Sequence, residues 1–305
     1  MNHYKTIPEY CKAINISSPI HPHFDIRNFQ DNMATVINEM PPFRHEFYAI
    51  AVKSSGSGKA RVGHHTDFPE GATIFFNSPF QILSWDIKPN WEGFYIMFSQ
   101  EFIAKSYFLQ DILQHFPFLK IEKDMPFEVA QEDVETISKI YQSIQSEYQN
   151  NKSDKFQLIE SYVLLLLNFV KRYFGKSISQ KDALGAIRKT DLKLLSRFQT
   201  LIETSFQNKA LETFANLHST SYYAQKLSIH PNHLNKIVKE ITGLTAKQHI
   251  QNHLLNLAKS QLIHTEKSIK EIAYSLYFDS PNNFSSFFKK LTSKSPNTYR
   301  KETIL

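Results

Sequence analysis

Short apolar runs alternate with chain-breaking residues from the start of the chain to about Glu122. The runs are about five residues long and rich in Phe, Tyr, Ile and Val, and clusters of Gly, Pro, Ser and Asn separate them. Such spacing is typical of an antiparallel β-sandwich or β-barrel, and it does not choose between the two. The predicted strands include Phe47–Lys53, Ala72–Phe76, Phe80–Trp85 and Gly93–Ser99.

The apolar period then changes to steps of three and four residues. Residues 133–148 and 156–174 carry Ile, Val, Leu and Phe at this spacing, which predicts two amphipathic helices. The second helix also carries Leu164 and Leu165, so its apolar surface is wider than one stripe. We expect it to cover the sheet on one side and to meet a second subunit on the other. Packing within the domain alone is the alternative.

A polar and weakly patterned stretch, residues 176–190, predicts a linker between two domains. Before it lie a strand-rich domain, 1–122, and the packing or dimerisation helices, 123–175. After it, residues 191–305 are helical throughout, beginning with a Leu-rich helix, Leu192–Phe206. The predicted fold class is therefore α+β with two domains, and 305 residues are enough for two separate cores.

The helical domain contains a first helix-turn-helix pattern. A short helix, Tyr222–Leu227, precedes a tight turn at Ser228–His230. Pro231 suits the first position of a second helix, Asn232–Ile241, because the missing N–H is not needed there, and Gly243 is the expected cap at the other end. The outward face of this second helix carries Asn232, Asn235, Lys236 and Lys239. Asn can pair with adenine in a major groove, and Lys with guanine or phosphate.

The same pattern returns about fifty residues later. Ser268 and Glu271 form a capping box for a short helix, a turn follows at Tyr277–Asp279, and a second helix runs over Ser280–Leu291. A longer helix, Ala246–Leu262, lies between the two units. The exposed positions of the second unit are Asn282, Asn283, Ser285, Ser286, Lys289 and Lys290. One such pattern is weak evidence, since short helices joined by turns are common, but two in tandem are much stronger.

Charge is unevenly divided along the chain. From Ile187 onward there are 17 Lys and Arg against 8 Asp and Glu, a net charge of +9, and the preceding residues have 18 against 21, a net charge of −3. A basic domain joined to a slightly acidic one favours nucleic acid as the partner of the basic part. A solvated Lys-rich surface is the alternative.

Several protein classes are disfavoured. A single cysteine, Cys11, excludes an internal disulfide and a Cys-rich zinc site, and the first residues lack the apolar core of a signal peptide. The longest apolar run, Tyr162–Leu167, is far shorter than the roughly 20 residues that cross a bilayer. We therefore expect a cytoplasmic protein without a membrane span. Neither nucleophile spacing nor a phosphate-binding Gly loop is found, so no catalytic site and no cofactor are predicted.

Several stretches resemble the AraC/XylS-type transcription regulators. They are Ser268–Ala273, Asn283–Lys290 and Lys294–Arg300 in the second unit, and Pro231–Lys236 with Lys239–Gly243 in the first. The resemblance covers about 192–301 and is most specific in its closing motif, 294–300. It departs from the family at Tyr277 and Ser293, where Gly is usual, and at Ser286 and Leu254, where Arg is usual or common.

The resemblance implies two recognition helices in successive major-groove segments, a connecting helix between them, and control of transcription through nearby RNA polymerase. It implies two kinds of contact. Contacts to bases specify the DNA sequence, and contacts to phosphates position the protein without specifying sequence. The base-reading residues would be Asn232, Asn235, Lys236, Asn282 and Ser286. The phosphate contacts would be Lys239, Lys289 and Lys290, and a solvated charge is the alternative for each Lys.

The front domain is similar to the cupin-type barrel that many such regulators carry, in Arg44–Tyr48, Phe75–Pro79 and Gly93–Tyr95. A small barrel can hold one ligand, so we expect a pocket for a small-molecule effector. The residues expected to edge it are Arg44, His45, Tyr48, Trp85 and Trp91; aromatic core packing is the alternative.

Four residues raise the possibility of a metal site in this domain: His45, Glu46, His64 and His65. Neighbours such as His64 and His65 point to opposite faces of a strand, and a site needs at least three convergent ligands. No metal is therefore predicted. The rival hypothesis is a cupin-like enzyme with a helical interaction module, which stoichiometric iron, manganese or zinc in the purified protein would favour.

Overall fold

The computed structural model describes residues 1–63, 71–106, 108–109, 112–119, 126–178, 186–207 and 216–304. Its contacts divide the chain into a front unit, Met1–Lys189, and a C-terminal unit, Thr190–Leu305. The strands are β1 Asn2–Tyr4, β2 Phe24–Asn28, β3 Glu39–His45, β4 Phe47–Ser55, β5 Gly58–Val62, β6 Thr73–Asn77, β7 Leu83–Ile87, β8 Glu92–Ser99 and β9 Phe127–Glu128. The helices are α1 Ile7–Ala13, α2 Gln100–Lys105, α3 Ile112–His115, α4 Gln131–Gln149, α5 Lys155–Ile178, α6 Ala186–Gln207, α7 Thr220–Lys226, α8 Pro231–Thr242, α9 Ala246–His264, α10 Ile269–Ser275, α11 Pro281–Thr292 and α12 Pro296–Ile304. A strand-rich unit followed by a helical one confirms the predicted class.

The strands of the front unit form two hydrogen-bonded sheets. One has the order β1-β3-β7-β5 and the other β2-β8-β4-β6-β9. Phe43 and Leu83 from the first sheet share one apolar cluster with Ala49, Phe75 and Met97 from the second, so the two sheets pack against each other. In the described part of the chain this two-sheet arrangement replaces the closed barrel that the resemblance implied.

Alternation along β4 determines which side chains meet which layer. Ala49 and Ala51 belong to the cluster between the sheets, while Tyr48 and Ile50 belong to the cluster that α4 and α5 cover. This is the expected result when successive side chains point to opposite faces. Tyr141 of α4 anchors the helix layer, because its hydroxyl donates to the Ile50 carbonyl at 2.8 Å.

Two features of the sheets differ from the sequence-based expectation. The strand predicted from Phe80 begins only at Leu83, because Phe80 has a φ of 69° in a turn that Gln81 closes with its side-chain oxygen on the Ser78 N–H. Strand β3 was not predicted, since it contains two consecutive prolines at 41–42. Its register with β7 shifts at these positions, and irregular ladder positions are where strands tolerate proline.

The predicted linker is helical at both ends. Helix α5 continues to Ile178 and α6 begins at Ala186, while 179–185 lie outside the described residues. Among the helices that the structure describes, none has the length and apolar character needed to cross a membrane.

The C-terminal unit is built around α9, which packs against α7, α8, α10, α11 and α12. Leu254 on α9 is 2% exposed, so this position, where the resemblance implied Arg, belongs to the core. Phe198 of α6 packs edge-on against Tyr223 of α7 at 5.6 Å between ring centroids. The two predicted helix-turn-helix units therefore share one scaffold helix.

Candidate functional site

The turns of the two helix-turn-helix units have the same backbone geometry. Ser228 follows α7 with a φ of 57°, and Tyr277 follows α10 with a φ of 60°. In the first unit the N–H of the next residue, Ile229, donates to the Ala224 carbonyl at 3.0 Å. In the second unit the Phe278 N–H donates to the Ala273 carbonyl at 3.0 Å. Neither turn uses Gly, although this left-handed conformation costs other residues about 1–2 kcal/mol. The match shows that one structural unit occurs twice.

The second helix of each unit, α8 or α11, also ends with the same backbone geometry. Gly243 and Ser293 both adopt left-handed conformations, with φ of 80° and 62°, and both donate their N–H at 2.8 Å to the carbonyl four residues back, of Lys239 or Lys289. Gly is the residue that this cap favours. Ser293 thus adopts the cap geometry of Gly243 without being Gly.

The N-termini of α8 and α11 are fixed by proline and a side-chain cap. Pro231 and Pro281 occupy the first helical positions. His230 Nδ1 accepts from the Asn232 N–H at 3.2 Å, and the Ser280 hydroxyl accepts from the Asn283 N–H at 3.2 Å. These caps place the next side chains, at 232 and 282, in the first exposed turn of each helix.

Helix α8 presents an exposed polar stripe. Asn232, Lys236 and Lys239 are exposed and follow one another at steps of four and three, so they lie on one face. The opposite face, with Leu234 and Val238, is fully buried. The structure therefore brings three of the four predicted contact residues of this helix together.

Asn235 lies at the edge of that stripe and is half-buried. Its side-chain oxygen accepts a hydrogen bond from the Ala246 N–H at 3.1 Å, at the first position of α9. The oxygen thus stabilises the start of the scaffold helix, a role that the sequence pattern did not indicate. Base reading by Asn235 stays a prediction, and the contact to a base would be made by its amide nitrogen.

Helix α11 presents the equivalent stripe. Asn282, Ser286 and Lys289 are exposed, and each lies fifty positions after its counterpart on α8. Lys290 is also exposed and stands where α8 has Glu240. The face of α11 is therefore more basic at its C-terminal end, which suits a contact with phosphate.

The closing motif has a structural role. Arg300 donates to the carbonyls of Leu262 at 3.0 Å, Lys267 at 2.7 Å and Thr265 at 3.4 Å. A planar guanidinium can serve several acceptors at once, and here it satisfies carbonyls at the end of α9 and in the segment after it. Helix α12, which carries Arg300, was not predicted from the sequence.

A family model described as a helix-turn-helix domain matches residues 223–302. The chain is 33% identical over 79 residues to "Uncharacterized HTH-type transcriptional regulator YtdP" of Bacillus subtilis (strain 168), which is 26% of this chain and 10% of that protein. It is 27% identical over 122 residues to "Uncharacterized HTH-type transcriptional regulator YijO" of Escherichia coli (strain K12), which is 40% of this chain and 41% of that protein. The C-terminal unit contains a helix-turn-helix domain of the AraC type.

Solved structures are similar over the same region and more widely. The C-terminal domain of AraT, a response regulator from Geobacillus stearothermophilus, is 26% identical with a TM-score of 0.32, over 37% of this chain and 87% of that one. ToxT from Vibrio cholerae O395 is 15% identical with a TM-score of 0.36, over 92% of this chain and 97% of that one.

The front unit that precedes the AraC-type domain holds a second candidate site, a cavity of about 100 Å³ between the two sheets. Trp85 and Trp91 line it, and their indole N–H groups donate to the backbone carbonyls of Ile37 at 2.8 Å and Ser57 at 3.0 Å. Both indoles therefore face the cavity as apolar surfaces.

Three of the five residues expected at the pocket line the cavity: His45, Trp85 and Trp91. Tyr48 does not, because it points to the helix side of β4 and stacks on Phe98 at 5.5 Å. Arg44 is not a lining residue either, since it alternates with His45 along β3. The sequence-based set is corrected at these two positions.

Asn77 also lines the cavity and was missed, although it follows Phe75 by two positions and so shares its face. In the part of the chain that the structure describes, Asn77 Oδ1 and His45 Nδ1 are buried without a hydrogen-bond partner. Burial lowers the pKa of His45 to about 3, so its imidazole is neutral at ordinary pH.

The residues considered for a metal site do not converge in the described ranges. Glu46 Oε1 lies 3.0 Å from His3 Nε2, and His45 points into the cavity. His64 and His65 lie outside the described residues. Within the portion that was described, no three His, Cys, Asp or Glu side chains are grouped as metal ligands would be.

Proposed function

We propose that the chain is a sequence-specific DNA-binding transcription regulator that acts in the cytoplasm. The observation that carries the proposal is the repeated unit of the AraC-type domain, in which α8 and α11 end in the same caps and expose matching polar stripes. A helix of this kind can enter a major groove with its N-terminal residues at the base edges. The net charge of +9 from Ile187 onward favours the DNA backbone.

The proposed roles follow from position along each recognition helix. Asn232 and Asn282 lie in the first turns, and Lys236 and Ser286, one turn further along, would read bases together with them. Asn235 would add a contact only through its amide nitrogen, because its oxygen is bonded to Ala246. The lysines nearer the C-terminal ends, Lys239, Lys289 and Lys290, would contact phosphates.

The front unit would supply control. A small-molecule effector in its cavity would change DNA binding by the AraC-type domain, and regulation would act through RNA polymerase. The cavity supports this role, since ligand sites are concave, mostly apolar and carry a few polar groups.

A second copy of the chain is the proposed partner of α5. Leu158 is 40% exposed and Leu165 43% exposed, and with the half-buried Tyr162 and Phe169 they follow a spacing of four, three and four. That spacing is the seam of a two-helix coiled coil. The opposite face of α5 is buried in the front unit, and Tyr162 and Phe169 pack against the edge of the same core, so Leu158 and Leu165 are the seam residues that a second subunit would cover.

Selection of bound sequences from random duplex DNA tests the proposal. We expect recovery of one motif that spans about two helical turns of DNA, because two recognition helices would lie in successive major-groove segments. Recovery of salt-sensitive binding without any motif would contradict it and would leave a nonspecific polyanion binder.

A further inference from the structure

The cavity of the front unit has walls that suit an aromatic ring. Phe29, Phe75, Trp85 and Trp91 line it, and both indole N–H groups already bond to backbone carbonyls. An engineered apolar cavity of about 150 Å³ binds benzene. A cavity of about 100 Å³ is of the same order and suits a single ring.

Two unpaired polar atoms give this apolar cavity a polar end. Asn77 Oδ1 and His45 Nδ1 are buried, line the cavity and lack a hydrogen-bond partner among the described residues. Asn77 pairs with Ala49 in the register of β4 and β6. The His45 ring stacks at 4.0 Å on Phe47, the first residue of β4. Asn77, at the end of β6, and His45, at the end of β3, therefore both lie beside the start of β4, where a bound ligand could satisfy them.

The chemistry of that end favours a hydroxyl over a carboxylate. An amide oxygen only accepts hydrogen bonds, so it needs a donor, and a carboxylate has none. When the hydroxyl proton is donated to Asn77, the neutral imidazole of His45 can still donate to the hydroxyl oxygen in the tautomer that carries its proton on Nδ1. Arg61 also lines the cavity, with its Nε donating to the Gly63 carbonyl at 2.9 Å, so an anionic ligand is the competitor that the test must include.

We propose that this cavity binds an uncharged, single-ring aromatic alcohol whose ring packs among the two tryptophans and whose hydroxyl donates to Asn77 Oδ1. The inference deepens the proposed sensing role of the front unit and rests on it for its biological meaning. Binding itself can be measured without DNA, so failure of one proposal is distinguishable from failure of the other.

The chain provides its own reporter, since it contains two tryptophans and both line the cavity. The full chain would be titrated with phenol, toluene and benzoate while intrinsic fluorescence is followed, with thermal unfolding as a second readout. We expect a saturable change with phenol, at a dissociation constant about tenfold lower than that for toluene, as one buried hydrogen bond provides. Benzoate should bind more weakly than phenol.

Asn77→Leu removes the acceptor at nearly constant volume, and Asn77→Ala is the second variant should the first not fold. Either should abolish the preference for phenol over toluene while toluene still binds. Asn38→Leu, at an exposed position, is the matched control and should keep the preference. Benzoate binding as tightly as phenol, a preference that survives in both Asn77 variants, or no saturable change with phenol would each overturn the proposal.

Discussion

The side-chain oxygen of Asn235 accepts a hydrogen bond from the backbone N–H of Ala246 at 3.1 Å. The bond joins a residue of the first recognition helix, α8, to the first position of the scaffold helix α9. In the second unit, the equivalent positions are Ser285 and Pro296, and proline has no N–H to donate. The orientation of α8 on the scaffold is therefore fixed by a contact that α11 lacks.

Asn235→Ala should accordingly reduce the stability of the AraC-type domain. We expect its free energy of unfolding to fall by about 1 kcal/mol, because a helix-terminal N–H loses its acceptor. Urea unfolding followed by circular dichroism measures this. Ser285→Ala is the matched control and should change stability by no more than about 0.5 kcal/mol; equal losses in the two variants would contradict the asymmetry.

Ser293→Gly should stabilise the same domain. Ser293 holds a left-handed conformation at the end of α11, which disfavours residues with a Cβ, so we expect the free energy of unfolding to rise by about 1 kcal/mol. The reverse change at the equivalent cap, Gly243→Ser, should lower it by a similar amount. If chemical unfolding showed Ser293→Gly to be destabilising, the cap would be held by contacts that the backbone geometry does not reveal.

The AraC-type domain could be predicted closely from the sequence because its signals are local. The capping residues Ser268 and Glu271, the prolines at 231 and 281, and Gly243 mark helix ends within one or two residues. Helix α12 was missed because only the resemblance drew attention to its residues. The role of Asn235 could not be found, since its partner, Ala246, belongs to the next helix and the contact depends on packing.

The front unit was harder to predict because strand pairing is not local. The apolar runs predicted strands but not their division into two sheets, and consecutive prolines concealed β3. Tyr48 was assigned to the pocket for its chemistry, whereas its place in the alternation of β4 puts it on the helix side. Applied strictly, the same alternation would have excluded Tyr48 and included Asn77.

Acid should weaken the C-terminal unit through His253, a half-buried residue whose Nε2 atom is buried. Burial lowers the pKa of His253 to about 4 from its usual 6.5. Between these two values the unfolded chain binds a proton that the folded one does not, so the free energy of unfolding falls as pH falls from about 6.5 to about 4. Chemical unfolding at several pH values measures the slope.

His253→Leu should make the free energy of unfolding less dependent on pH. The slope should fall by up to about 1.4 kcal/mol per pH unit, which corresponds to one proton. His233→Leu is the matched control, because it makes the same substitution at an exposed position of the same unit. A His253 variant with the wild-type pH dependence would show that His253 does not titrate differently in the folded and unfolded chains.

Leu165→Glu should dissociate the proposed dimer. Leu165 is 43% exposed on α5, and a charge in an apolar helix seam is costly to desolvate. Light scattering after size exclusion should give twice 35.5 kDa for the wild type and for the control Gln157→Glu, which lies off the seam. It should give a single chain for Leu165→Glu. A monomeric wild type at micromolar concentration would contradict dimerisation through α5.

The exposed stripe of α8 is expected to read DNA sequence at its N-terminal end and to contact the DNA backbone further along. The most direct test measures the affinity of the wild type, Asn232→Ala and Lys239→Ala for a selected site and for its single-base variants, at several salt concentrations. Asn232→Ala should cost about 1–3 kcal/mol and relax the preference at one base pair, whereas Lys239→Ala should weaken all sites evenly and reduce the salt slope by about one. An even loss with both variants, or no loss with either, would contradict base reading by α8.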